Sequence, residues 1–341
     1  MTWSTAEWLR RLPKAELHLH LEGTVTPETL VTLSEKHDST PITFEEAQAK
    51  YEYTDFIHFL KTFKFVTDRL QTPEDYALIV REMMHDLHQQ GVAHAEVYVA
   101  WGGILYNKPH LSVEDVMVAI EDARVQVQQE IGGPSILWIA DATRQRGVVE
   151  TSQVFRLAAE LKSRFPTIIG VGIGGDEVGG PIEWFHELYV EAKQAGLRLT
   201  AHAGEASGAL KGPLQIRAAL EMGVERIGHA LDAQHDDRLM DFLREHQVPL
   251  EINVTSNIMT GCCPSFEAHP LPKYLDKGLL CTINSDDPAM FGSTCLEEYI
   301  LLSERYSLKS DAMRQLARNS VTASFLPSEK KRELISRIDA T

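Results

Sequence analysis

Eight short apolar runs, each followed by a longer amphipathic stretch, constrain this chain more than any other feature. The runs occupy residues 15–20 (AELHLH), 94–100 (HAEVYVA), 135–141 (SILWIAD), 168–173 (IIGVGI), 198–201 (RLTA), 226–229 (RIGH), 249–253 (PLEIN) and 280–284 (LLCTIN). Short, nearly continuous apolar runs suit strands that are covered on both faces. The stretches between them, such as 151–164, 184–195, 216–222 and 238–245, carry helical spacing, and stop signals follow at Gly196, Gly223 and Gly278. Strands that alternate with helices form parallel βαβ units. Eight units with no switch in order predict an α/β fold, a (β/α)8 TIM-type barrel rather than a doubly wound sheet.

One interval breaks the rhythm. Between His20 and His94 the chain is far longer than one crossover helix needs. A helical insertion after the first strand of a barrel sits over the carboxyl-end mouth, where it can act as a lid. Its segment 53–70 carries Phe56, Phe59, Leu60, Phe63 and Val66 at helical spacing. Such a stripe ordinarily packs into a core; Phe59 and Phe63 are the pair expected to wall an aromatic ligand. No Gly-, Ser- or Pro-rich linker divides the chain, so residues 1–341 are expected to form a single domain.

Charge narrows the partners. With 33 basic and 49 acidic residues the formal net charge is −16, which argues against a nucleic-acid backbone or an anionic membrane surface as partner. A small-molecule substrate is the expectation. The four cysteines, Cys262, Cys263, Cys281 and Cys295, lack zinc-ribbon spacing. The N-terminal stretch has no apolar core of a leader peptide, and no run is long enough to span a membrane. The expected location is the cytoplasm, with reduced thiols. Oligomeric state is not legible.

The polar residues fall in a pattern. His18 and His20 end the first run, Asp141 the third and His229 the sixth; Gly174-Gly175-Asp176-Glu177 follows the fourth, His202-Ala203-Gly204-Glu205 the fifth, and Asp286-Asp287 the eighth. Barrel enzymes place their sites at these carboxyl ends. Two histidines spaced i, i+2 on a strand share a face, with backbones about 6–7 Å apart, so both can reach one ion. His202 and Asp286 supply two further ligands. Three imidazoles and a carboxylate suit one Zn²⁺ per subunit with a position open for water; no lysine stands near the end of the fourth run to bridge a second ion. Beside such a water Glu205 becomes a proton donor and acceptor in a dry pocket. His229 would either stabilise or deprotonate the water. Asp287 would orient the water or contact the substrate, the alternative being a helix cap before Pro288. His37, His85, His88, His110, His186, His235, His246 and His269 read as solvated, and His58 and His94 as remote from the ligand.

These motifs, PKAELHLHLEG at 13–23, GGDE at 174–177, HAGE at 202–205, RIGHA at 226–230 and NSDDPAMF at 284–291, resemble those of the adenosine deaminase family, in family order. The resemblance implies hydrolytic loss of ammonia from C6 of a purine. His18, His20, His202 and Asp286 would be the zinc ligands, and Glu205 the residue that protonates N1. His229 would assist the attacking hydroxide, Asp287 contact the water and N7, and Gly175 donate a backbone N–H to N3. Substrate contacts are thus implied at His20, Glu22, Phe59, Phe63, Gly175 and Asp287. Glu22 stands where animal-type members carry a shorter aspartate, on the ribose 5′ side, and the segment EINVTSNIMTG is more like bacterial branches. The implied reaction is deamination of a 6-aminopurine nucleoside, adenosine or 6-amino-6-deoxyfutalosine, with adenine as the alternative substrate. A metal-dependent esterase or amidase would find no use for Glu205, and a non-enzymatic descendant would have been free to lose a ligand.

Overall fold

The computed structural model describes residues 4–341, so the first three residues of the N-terminal stretch read above lie outside it. Eight parallel strands stand in the order of the sequence: β1 (Lys14–His20), β2 (Val92–Val99), β3 (Ser135–Thr143), β4 (Ile168–Gly174), β5 (Arg198–Ala203), β6 (Arg226–His229), β7 (Leu250–Ile252) and β8 (Cys281–Ile283). Each of the eight apolar runs supplies one strand. Helices follow the strands and cover the outside, as both-face burial of a parallel sheet requires. Gly196, Gly223 and Gly278 all adopt positive φ just past a helix end. The helix expected at 216–222 starts earlier, at Gly208, and carries Pro213 inside it; the Gly-Pro composition there disguised its first turns as loop. No helix of the described residues is long and apolar enough to cross a membrane, and all four cysteines are free thiols.

The ring closes between β1 and the segment after β8. Leu19 pairs in parallel with Asp286; the His20 N–H donates to the Asp286 carbonyl at 2.9 Å, and the Asp286 N–H to the His18 carbonyl at 3.1 Å. Asn284 Oδ1 accepts from the Leu17 N–H at 2.8 Å, and Glu16 accepts from the Ser285 N–H at 2.9 Å. Register shifts between Glu16 and Leu19 mark a bulge in β1. A bulge re-aims the side chains that follow it, and here those are His18 and His20.

Inside the barrel a polar column replaces the usual apolar layers. Arg226 forms a short ion pair with Glu96 and donates Nε to Glu251 at 2.6 Å. The other Glu251 oxygen accepts from the Tyr98 hydroxyl at 3.2 Å and lies 2.7 Å from His18 Nδ1. Glu96 also accepts from the Phe325 N–H, whose ring lies under the Arg226 guanidinium at 3.9 Å. The column therefore runs from the amino-end floor of the barrel to His18. Gly228 makes room for it: a Cβ there would come within 2.8 Å of the His18 ring. Replacing Arg226 by Met strands two buried carboxylates, which costs about 3–5 kcal/mol. The expected result is a lower denaturant midpoint for the metal-free protein.

Candidate active site

At the carboxyl-end mouth His18, His20, His202, His229 and Asp286 come together, all buried. The ligand atoms of His18, His202, His229 and Asp286 lie within 4.8 Å of one another, as do those of His20, Asp286 and Asp287. Asp286 Oδ1 is 3.2 Å from His18 Nε2 and 3.4 Å from His20 Nε2, and His20 Nε2 is 3.2 Å from His202 Nε2. A tetrahedral ion with bonds of about 2.0–2.1 Å spaces its ligands about 3.3–3.4 Å apart, a spacing these contacts match, so the buried cluster has the donors of a metal site. Two more observations support the fit. His18 Nε2 is buried with no hydrogen-bond partner. The far nitrogens are engaged elsewhere: His18 Nδ1 on Glu251, and His202 Nδ1 on the Ile173 carbonyl at 3.0 Å. Each such contact turns Nε2 toward the shared point. Ser256 holds the second Asp286 oxygen at 2.6 Å.

Holding these groups distorts the backbone. His229 and Asp286 have φ of 63° and 67°, a left-handed conformation that costs a residue with a Cβ about 1–3 kcal/mol and clusters at functional sites. The surroundings also shift the titrations. Burial, reinforced by His18, His20 and His229, holds the His202 imidazole well below its usual range. Burial pushes His229 down to about 3. Burial, together with Asp286 and other carboxylates, holds Glu205 and Asp287 well above the ordinary carboxylate range.

Glu205 faces His229, with Oε1 3.6 Å from Nε2, and the same Nε2 is 3.7 Å from Asp286 Oδ2. The Glu205 turn is held by Glu177, which accepts from the N–H groups of Glu205 and Ala206 and from Ser207 Oγ at 3.2, 3.1 and 2.7 Å. Asp287 precedes the short helix Pro288–Phe291 but makes no capping bond. Its Oδ1 is buried without a partner, so the cap reading fails. Gly23 packs so closely on Asp287 that a Cβ would fall 2.1 Å from Oδ1.

One cavity of about 210 Å³, open at its mouth, joins this cluster to the lid. Phe59 and Phe63, on the lid helix Phe56–Thr67, line it with Glu22 and Gly175. The Phe63 ring meets His20 edge-on at 6.3 Å. Every expected site residue thus lies at the cavity or the donor cluster. His269 does not fit its expectation: it is buried, 3 % exposed, with Nε2 3.2 Å from Asn257 Oδ1. His37 is likewise paired, with Asp75 at 2.7 Å. His58 is exposed, and His94 is buried against Glu96 and Ser135 at the opposite end of β2.

Several contributors had no signal in the sequence. Glu251, Ser256, Asn257 and Arg144, which donates to the His202 carbonyl at 2.9 Å, act only through contacts that folding creates. Replacing Glu251 by Gln removes the charge that holds His18. Metal affinity is expected to fall about 10- to 100-fold, read by chelator competition.

The fold and cluster have relatives among known proteins. A family model described as Adenosine deaminase matches residues 13–341. An aminodeoxyfutalosine deaminase of Streptomyces avermitilis is 36% identical over 333 residues, covering 96% of this chain and 90% of that protein. An adenine deaminase of Chlorobium phaeobacteroides is 32% identical over 335 residues, covering 97% of each. The crystal structure of an adenine deaminase from Arthrobacter aurescens superposes with a TM-score of 0.88 at 31% identity, covering 96% of this chain and 98% of that one. The chain therefore belongs to the adenosine deaminase family and is an aminohydrolase, a C–N bond hydrolase of the metal-dependent purine-deaminating kind.

Proposed function

We propose that the chain removes the 6-amino group of a 6-aminopurine nucleoside as ammonia, and prefers one with an extended, acidic N9 substituent. 6-Amino-6-deoxyfutalosine is the first candidate, ahead of adenosine. Relatives named for that nucleoside and for adenine match at similar identity, so the reading rests on the cavity. It reaches past Glu22 to Lys64, Lys108 and Arg146, and a second groove continues from Lys64 and Lys108 to Gln71 and His110. Of these three cations, Lys64 and Arg146 already have the carboxylates of Asp68 and Glu150 at 2.7 and 3.4 Å, so Lys108 is the one placed to meet an acidic group there. Lys108 is buried, and its Nζ donates to the Tyr76 hydroxyl at 2.8 Å. Between the two ends, Glu22 Oε2 and Asp141 Oδ1 are buried acceptors without protein donors, which suits the hydroxyls of a sugar.

In this reading His18, His20, His202 and Asp286 would hold one zinc ion, which when bound would supply a water acidified to a pKa of about 7 as the nucleophile. Glu205, kept protonated by its surroundings, donates its proton to purine N1 as C6 accepts oxygen. His229 presents Nε2 to the incoming oxygen from between Glu205 and Asp286. Asp287, also kept protonated, donates to N7, and the backbone N–H of Gly175 meets N3. Phe59 and Phe63 wall the ring and exclude water. The Glu205 carboxylate then takes the proton of the hydroxyl added at C6 and passes it to the amine, so that the C6–N bond breaks, ammonia leaves and the C6 oxygen becomes the carbonyl of the 6-oxopurine; the proton given up by the next water restores Glu205.

Two measurements test this. Glu205→Gln is expected to lower kcat by about 10²–10⁴-fold with zinc content unchanged; loss of zinc would give Glu205 a different role. Among substrates, kcat/KM for 6-amino-6-deoxyfutalosine is expected to exceed that for adenine by at least about 100-fold. A preference for adenine overturns the nucleoside reading.

A further inference from the structure

Behind His229 lies a chain of buried hydrogen bonds that the chemistry above does not use. The backbone N–H of Leu271 donates to His269 Nδ1 at 3.2 Å. His269 Nε2 is 3.2 Å from Asn257 Oδ1, and Asn257 Nδ2 is 2.9 Å from His229 Nδ1. All three side chains are buried.

The direction of every bond follows from the first. A backbone N–H can only donate, so His269 Nδ1 must be the acceptor and the proton of the neutral ring sits on Nε2. That Nε2–H requires a carbonyl oxygen from Asn257, which turns the amide NH₂ toward His229. His229 Nδ1 must then accept, and its own proton is left on Nε2, the nitrogen that faces Glu205 and Asp286. Burial keeps His269 neutral by pushing it down to about 4, so the pattern holds across the working pH range. Asn253 is the other amide nearby, with Nδ2 3.4 Å from either ring nitrogen of His229, too distant to compete with a 2.9 Å contact.

We propose that His269 and Asn257 are positioning residues which fix the tautomer of His229, so that it always presents Nε2–H to the reacting oxygen. The inference rests on the role given to His229 above, and deepens it. His269, which the sequence reads as solvated, and Asn257 together form the orienting half of a triad-like arrangement. The geometry imposes a one-way logic: a carboxylate in place of the Asn257 amide can only accept, so it would draw the His229 proton to Nδ1 and turn a bare lone pair toward the site.

Asn257→Asp, nearly isosteric with the wild type, is therefore the variant to make in the zinc-loaded enzyme. The expected results are a His229 ring whose ¹⁵N spectrum shows the proton moved to Nδ1, and a kcat lowered by about 10²–10⁴-fold, the scale on which a wrong imidazole tautomer acts. KM and zinc content should stay as in the wild type. His269→Gln, which still donates an N–H to Asn257, should retain most of the activity that His269→Phe loses. An Asn257→Asp spectrum still showing the proton on Nε2 overturns the inference, as does equal activity of His269→Gln and His269→Phe. If the proton moves and kcat does not, the relay stands and the catalytic role of His229 falls.

Discussion

The closure of the barrel is the constraint on which the site depends. Leu19 and Asp286 complete the ring, and their backbone bonds place the Asp286 carboxylate against the imidazoles of His18 and His20. A slip of one residue would send alternate side chains to the wrong face. The register is pinned from several directions by Asn284 on the Leu17 N–H and by Glu16 on Ser285. Together with the β1 bulge, these contacts aim the histidine pair inward.

The second demand on the fold is electrical. A site with four imidazoles and several carboxylates out of water is unstable unless each charge has a counterpart. The barrel meets this from below, with Glu96, Arg226 and Glu251 forming an alternating column that ends on His18. Around the rim Arg144 and Glu177 hold the β4 and β5 loops, and Ser256 and Asn257 the groups nearest the centre. Such a core is a poor source of stability by itself. The apolar layer between strands and helices supplies that, leaving the lumen to chemistry.

Much of this was legible in the sequence because it follows local rules. Period and length marked the eight strands, and chemistry-bearing residues at their carboxyl ends marked His18, His20, His202, Glu205, His229, Asp286 and Asp287. The long gap after β1 revealed the lid, whose Phe59 and Phe63 line the cavity. The unread part is the part that depends on which strands become neighbours. Glu251 looks like any strand carboxylate until β7 lies beside β6 and across from His18. His269 misled for the same reason: it stands among polar loop residues, and only the docking of that loop on the helix Val254–Met259 buries it. Asp141 was visible as a strand-end carboxylate, but its open oxygen appears only once the cavity exists.

The meeting of β1 with the end of β8 also has a temporal side. His18 and Asp286, and likewise Glu16 and Ser285, are joined across nearly the whole described chain; the latter pair is 269 positions apart. Contacts this remote form late, because the entropy of closing the ring must be met before they give anything back. During synthesis the histidine pair emerges early and waits, with its carboxylate partner still to be made. A half-finished barrel therefore offers an ion only a loose two-histidine perch, and the full cage exists only once the last strand has docked. Metal loading thereby becomes a report on completed folding.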